Sequence, residues 1–114
     1  MAKPENQIDY IELPATQIDA TKQFYSAVFG WKFEDYGPDY TSFSDGRIAG
    51  GFSADMPGGR GVLVVIYSGD LAATQQKVAQ AGGTIVKEIF SFPGGRRFHF
   101  TDPNGNELAV WSDQ

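Results

Sequence analysis

At 114 residues, with 41% hydrophobic and 14% aromatic side chains, the chain is long enough for one core and too apolar to stay disordered. A net charge of −5 makes nucleic acid a poor partner, because that affinity rests on clustered Lys and Arg. With no cysteine there is no disulfide, thiolate metal site or cysteine nucleophile; this fits a cytoplasmic protein, and the polar opening Met1–Pro4 leads us to expect neither a signal peptide nor a membrane span.

Residues 1–6 are polar and expected to fray. Ile8–Leu13 sets Ile8, Tyr10, Ile11 and Leu13 around Asp9 and Glu12, a half-buried strand that Pro14 ends. Thr16 with Asp19 forms a capping-box pattern. Ile18, Thr21, Phe24, Tyr25, Val28 and Phe29 then recur three and four apart, predicting a helix with that face buried and Gly30 as a left-handed cap. Trp31 and the helix aromatics read as core. Short strands follow at Trp31–Tyr36, Tyr40–Phe43 and Arg47–Ser53, with a tight hairpin at Asp45-Gly46. Gly50 and Gly51 mark a bulge or a close approach to the backbone. Ala54–Arg60 reads as a linker, with Arg47 and Arg60 on solvated edges.

A second strand and helix follow. Val62 opens the strand, Asp70 caps the helix, and Leu71, Thr74, Val78 and Ala81 form its buried face before Gly82-Gly83. Placing Gly30 on Gly83 also places Leu13 on Ile66, Ile18 on Leu71, Thr21 on Thr74 and Tyr25 on Val78. Three more strands are expected at Thr84–Phe90, Arg96–Thr101 and Glu107–Trp111. Ser91–Gly95 is read as a mobile loop and Asp102–Asn106 as a turn. The chain is therefore an α+β protein, β-α-β-β-β twice. We read it as a single domain over 1–114, with modules at 7–55 and 60–112.

Phe24–Trp31 (FYSAVFGW), Gly82-Gly83 at the second helix end and Phe100–Trp111 (FTDPNGNELAVW) resemble the glyoxalase / bleomycin-resistance / extradiol-dioxygenase superfamily, the vicinal oxygen chelate proteins. The resemblance runs from about Ile8 to Trp111. It implies modules that roll a curved mixed sheet into half-barrels with helices outside, a homodimer, and often a divalent metal held by His and Glu. At the implied ligand positions stand Tyr10, the carboxylate-free Ile48–Gly51, the aliphatic Leu63 and Ala109, with Glu107 two residues from Ala109. Several N or O donors must converge to hold a transition metal. The expectation is thus no metal and no cofactor, with a divalent metal as the alternative.

If Tyr10 and Ala109 face the cavity, as the resemblance implies, strand alternation adds Glu12, Glu107 and Trp111, and the matching faces of the other strands are Leu63, Val65 and Tyr67, and Arg97, His99 and Thr101. Phe98, Phe100, Leu108 and Val110 then face the helices. The predicted ligand-binding set is Tyr10, Glu12, Tyr67, Arg97, His99, Glu107 and Trp111, and the catalytic candidates are His99, Glu12 and Glu107. His99, the only histidine, is either a general acid/base partnered by Glu12 or Glu107, or a strand residue satisfied by a neighbour. Glu12 and Glu107 are either paired carboxylates or ion-pair partners of Arg97 and Arg96. Trp111 either stacks on a planar ligand or seals a dimer seam. The glycines do not open a helix after a strand, and no nucleophile elbow is present. The expected function is binding of a small organic molecule. A metal-dependent lyase, isomerase or dioxygenase and a non-catalytic dimeric binding or regulatory module are the alternatives.

Overall fold

A computed structural model describes residues 3–55 and 61–114. Its elements run β1 (Gln7–Pro14), α1 (Ile18–Phe29), β2 (Lys32–Asp35), β3 (Tyr40–Ser44), β4 (Ala49–Ser53), β5 (Leu63–Tyr67), α2 (Leu71–Gln80), β6 (Thr84–Phe92), β7 (Gly95–Thr101) and β8 (Glu107–Ser112). The fold is α+β, and the strand–helix–three-strand pattern occurs twice, as the sequence repeat predicts. Two compact units result: residues 10–63, and residues 64–114 with the segment up to Asp9.

In the unit of residues 10–63 the sheet order is β2-β3-β4-β1, with β1 parallel to β4 and the other neighbours antiparallel. One sheet face is aromatic. Tyr25 of α1 stacks on Trp31 at 4.6 Å, Trp31 stacks on Phe43 at 4.6 Å, and Phe43 lies 5.3 Å from Phe52. Gly50 and Gly51 do mark a close approach. A Cβ at Gly50 would collide with the Ile11 carbonyl oxygen and the Phe43 ring, and one at Gly51 with the Tyr40 hydroxyl. Each glycine thus opens one face of β4 to a large aromatic neighbour.

Three local expectations need correction here. The α1 N-cap is Gln17, with no side-chain cap bond, so Thr16 and Asp19 form no capping box. The covered stripe of α1 is Ile18, Thr21, Lys22 and Tyr25, while Phe24 and Phe29 stay 55% and 61% exposed. Periodicity identifies an apolar arc but not which part of it is turned to the sheet. Finally, β4 starts at Ala49, because the Asp45 carboxylate accepts from the Arg47 and Ile48 amides and holds those residues in the turn. Gly30 does cap α1 in the left-handed region, at φ 73°, with its N–H donating to the Ser26 carbonyl.

The other unit repeats the topology as β5-β8-β7-β6, with β5 parallel to β8. Asp70 caps α2 as predicted, its side chain accepting from the Ala73 amide at 3.1 Å. The core is Leu71, Phe98 and Val110, with Ile66, Val78, Ile85, Ile89 and Phe100 packed against it. Phe98, Phe100 and Val110 therefore face the helix side, as strand alternation predicts. The loop expected at Ser91–Gly95 is instead a tight hairpin: β6 reaches Phe92 and β7 begins at Gly95. Residues 3–6 are tied down rather than frayed. The Asn6 amide donates to the Tyr67 carbonyl, and the Glu5 carboxylate accepts from the Gly69 amide. Of the linker expected at Ala54–Arg60, residues 56–60, Arg60 included, lie outside the described residues.

Candidate functional site

Register decides which side chains share the face of β5-β8-β7-β6 opposite Phe98. His99 pairs with Ala109, Arg97 with Trp111, and Tyr67 with Trp111, so these positions point the same way. Glu107 pairs with Thr101 across the Asp102–Asn106 turn, two rungs from His99 and so on the same face, and its Oε2 lies 2.9 Å from His99 Nδ1. A carboxylate only accepts, so Nδ1 carries the proton and donates it. In the neutral ring Nε2 is then an acceptor, and it is buried with no hydrogen-bond partner among the described residues. The sequence offers Glu12 or Glu107 as the partner of His99; the hydrogen bond observed is to Glu107.

β6 adds groups that the sequence did not single out. Its register against β7 shifts twice, between Ile85 and Lys87 and again between Lys87 and Phe90. Each irregularity turns the strand, leaving Ile85 and Ile89 on the core side and bringing Phe90 beside His99. The Phe90 ring stacks 5.9 Å from the His99 ring, with Lys87 Nζ 4.4 Å and the Arg97 guanidinium 5.6 Å from its centre. Trp111 donates from Nε1 to Asp9 Oδ2 at 2.9 Å and meets Tyr67 edge-on at 5.4 Å, while the Tyr67 hydroxyl donates to Asp113.

Burial pushes the His99 imidazole below its ordinary pKa of 6.5; the Glu107 hydrogen bond opposes this, and the charges of Arg97 and Lys87 add to the decrease. The neutral ring prevails at pH 7. The unfolded chain therefore binds the extra proton first, and stability rises with pH through the window just below 6.5. In urea titrations between pH 5 and 7.5, wild type should lose more stability toward acid than His99→Gln. Equal slopes would contradict a buried neutral histidine.

Tyr10 and Glu12 belong to the other unit and have a network of their own. The Tyr10 and Tyr40 hydroxyls lie 2.5 Å apart, and Tyr40 donates to Glu12 Oε2 at 3.1 Å. Burial, chiefly, with the Tyr10 hydrogen bond and the Glu12 charge, raises the Tyr40 pKa strongly, so the phenol stays protonated. Tyr40 escaped the sequence reading because only strand pairing brings it over Gly51 and Glu12. Open grooves of about 440 and 410 Å³ flank α1 in this unit, and neither is lined by Tyr10 or Glu12.

The sequence profile of the glyoxalase/bleomycin resistance protein/dioxygenase superfamily matches residues 7–110. The chain belongs to that superfamily. Among relatives, CFP32 of Mycobacterium bovis, a protein assigned as a glyoxylase, is 26% identical over 115 residues, covering 90% of this chain and 44% of its own length. The chain thus spans less than half of that relative. A glyoxylase-like domain-containing protein of Didymella fabae is 29% identical over 121 residues, covering 91% of this chain and 93% of the relative. Among solved structures, the Mn(II)-bound glyoxalase from Novosphingobium aromaticivorans superposes with a TM-score of 0.69 at 23% identity, over 96% of this chain and 39% of that one.

A superfamily metal does not fit the residues at the implied positions. Leu63 and Ala109 are buried hydrocarbon, β4 offers only Ala49, Gly50 and Gly51 there, and the Tyr10 hydroxyl is engaged with Tyr40. Among the described residues no three His, Cys, Asp or Glu side chains converge. No helix among them is long and apolar enough to cross a membrane.

Proposed function

We propose that this superfamily member binds a small organic molecule at the face that carries His99, and works without the divalent metal of its relatives. One observation carries the reading: the His99–Glu107 pair, with Nδ1 engaged at 2.9 Å and Nε2 buried and unpartnered among the described residues. A carboxylate that fixes the tautomer leaves the second nitrogen to accept a proton or hydrogen bond from a ligand. Glu107 is a positioning residue in this scheme, and Arg97, Tyr67 and Trp111 line the same face. Tyr10 and Glu12, proposed from the sequence as ligand-binding residues, stay a separate proposal for the unit of residues 10–63, where Tyr40 bonds to both. A cytoplasmic homodimer completes the reading, the dimer as the superfamily resemblance implies and the compartment in keeping with a chain that has no cysteine.

The Mn(II)-bound glyoxalase of the same fold favours a second reading, a metal-dependent lyase, isomerase or dioxygenase. Metal content separates the two. Untagged protein should hold far less than one equivalent of manganese, iron, nickel or zinc, and EDTA should leave its melting temperature unchanged. Stoichiometric metal held through His99 and Glu107 would establish the second reading instead. Sedimentation at micromolar concentration should give about twice 12.4 kDa; a monomer at high concentration would remove the homodimer.

A further inference from the structure

We propose that residues 3–6, the segment before β1, form a latch over the Trp111 end of the His99 face, and that a guest reaches the Trp111 ring only when the latch lifts. This rests on the reading of that face as the ligand-binding one and adds how access to it is controlled.

The first observation is what lies on the ring. Trp111 points the same way as Arg97 and Tyr67 and is half-buried. Its indole N–H already donates to Asp9 Oδ2 at 2.9 Å, so what it still has for a guest is the ring itself. Lys3 Nζ lies over that ring, 5.6 Å from its centre, and pairs with Asp9 Oδ1 at 3.7 Å. The chain's own ammonium thus occupies a surface on which a planar guest would stack.

The second observation is how the segment is held there. Asn6 is the one non-glycine residue with a positive φ among the described residues, at 61°. Asn tolerates this left-handed conformation better than most side chains, and it bends the segment just before β1. The Asn6 N–H then donates to the Tyr67 carbonyl at 2.9 Å, at the end of β5. The Gly69 N–H donates to both oxygens of the Glu5 carboxylate, at 2.9 and 3.0 Å. Gly69 makes room for this, since a Cβ there would stand 2.7 Å from the carboxylate. Between the two anchors, Pro4 fixes its own φ and keeps Lys3 extended, so Lys3 and Glu5 are joined by a stiff spacer.

The third observation is how weakly this latch is fastened compared with what lies beneath it. Residues 3–7 are all exposed, and the Lys3 and Asp9 side chains are 41% and 22% exposed. Exposed charge pairs of this kind gain little and are screened by salt. Beneath them Tyr67 is buried, and β8 is paired on both sides, with β5 and with β7. The segment can therefore open while the sheet stays folded, a local opening rather than global unfolding. All the residues involved belong to the same compact unit.

The test uses the full chain labelled with ¹⁵N, and the neutral nitroxide TEMPOL, which relaxes the protons it can touch. In the wild type the Asn6 amide should exchange with solvent faster than the slowest amides of β7 and β8, and faster still in high salt. Lys3→Gln combined with Glu5→Gln should speed Asn6 exchange several-fold and remove its salt dependence. The same double variant should raise nitroxide relaxation of the Trp111 ring several-fold. The Trp31 ring, stacked between Tyr25 and Phe43, should stay unchanged. Gly69→Ala, which crowds Glu5 without changing any charge, should shift both readouts in the same direction. All variants should keep the wild-type urea midpoint. An Asn6 amide that exchanges only with the slowest amides of the sheet would overturn the latch, because the segment would then open only with the whole fold. Equal nitroxide relaxation of Trp111 in the wild type and the double variant would overturn it too, because Lys3 would not be covering the ring. Neither readout needs a ligand, so both overturning results leave the small-molecule reading of His99 standing; that reading fails separately, on metal content.

Discussion

Phe98→Ala should destabilise the protein by about 3–5 kcal/mol, the range for emptying a buried aromatic site. Phe98 is fully buried at 0% exposure and lies at the centre of the cluster with Leu71 and Val110. Its neighbours come from α2 and β8, two elements already fixed by Asp70 capping and by strand pairing, so collapse around the void is limited. A loss of that size is a large share of the 5–15 kcal/mol that holds a typical domain folded. Phe29→Ala is the contrasting case. That ring is 61% exposed on α1, and its removal should cost less than about 1 kcal/mol. Urea unfolding of the two variants side by side checks both values. Equal losses would mean that the faces of β7 or of α1 are assigned the wrong way round.

Gly50→Ala should cost about 3 kcal/mol or more, at or beyond the upper end for overpacking. The added methyl would strike the Ile11 carbonyl oxygen on β1 and the Phe43 ring on β3. A flexible side chain can move aside, but a carbonyl oxygen held in a parallel ladder moves only with its strand. The Phe43 ring is itself held between Trp31 and Phe52. Gly61→Ala provides the control, since a Cβ there meets nothing within 4 Å, and it should stay within about 0.5 kcal/mol of wild type. Thermal melts of the pair separate a steric requirement from a generic glycine effect. A Gly50→Ala variant as stable as Gly61→Ala would show that β3 and β4 are not packed as described.

These two residues also show what could be read in advance. Phe98 is legible from its apolar side chain and strand alternation together, because β7 and β8 run without a bulge and their register is pinned by the Asp102–Asn106 turn. Gly50 announced a close approach, but only the strand pairing says what approaches. His99 and Glu107 were legible as neighbours for the same reason as Phe98. The β6 contribution was not, since two register shifts break the period of two and re-aim Lys87 and Phe90. Tyr40 was missed because its bond to Glu12 crosses 28 residues of sequence. The rotation of α1 was misjudged because Phe24, Val28 and Phe29 satisfy helical spacing as well as the residues that pack. The lack of donors at two implied ligand positions is legible directly, because the Leu63 and Ala109 side chains are hydrocarbon.

The most direct test of the site is a long-range ¹H–¹⁵N correlation spectrum of the single histidine at pH 7, recorded before and after adding zinc. The account predicts a neutral ring with the proton on Nδ1 and a free acceptor at Nε2, unchanged by the metal. A proton on Nε2, an imidazolium, or a zinc-induced shift of either nitrogen would contradict it.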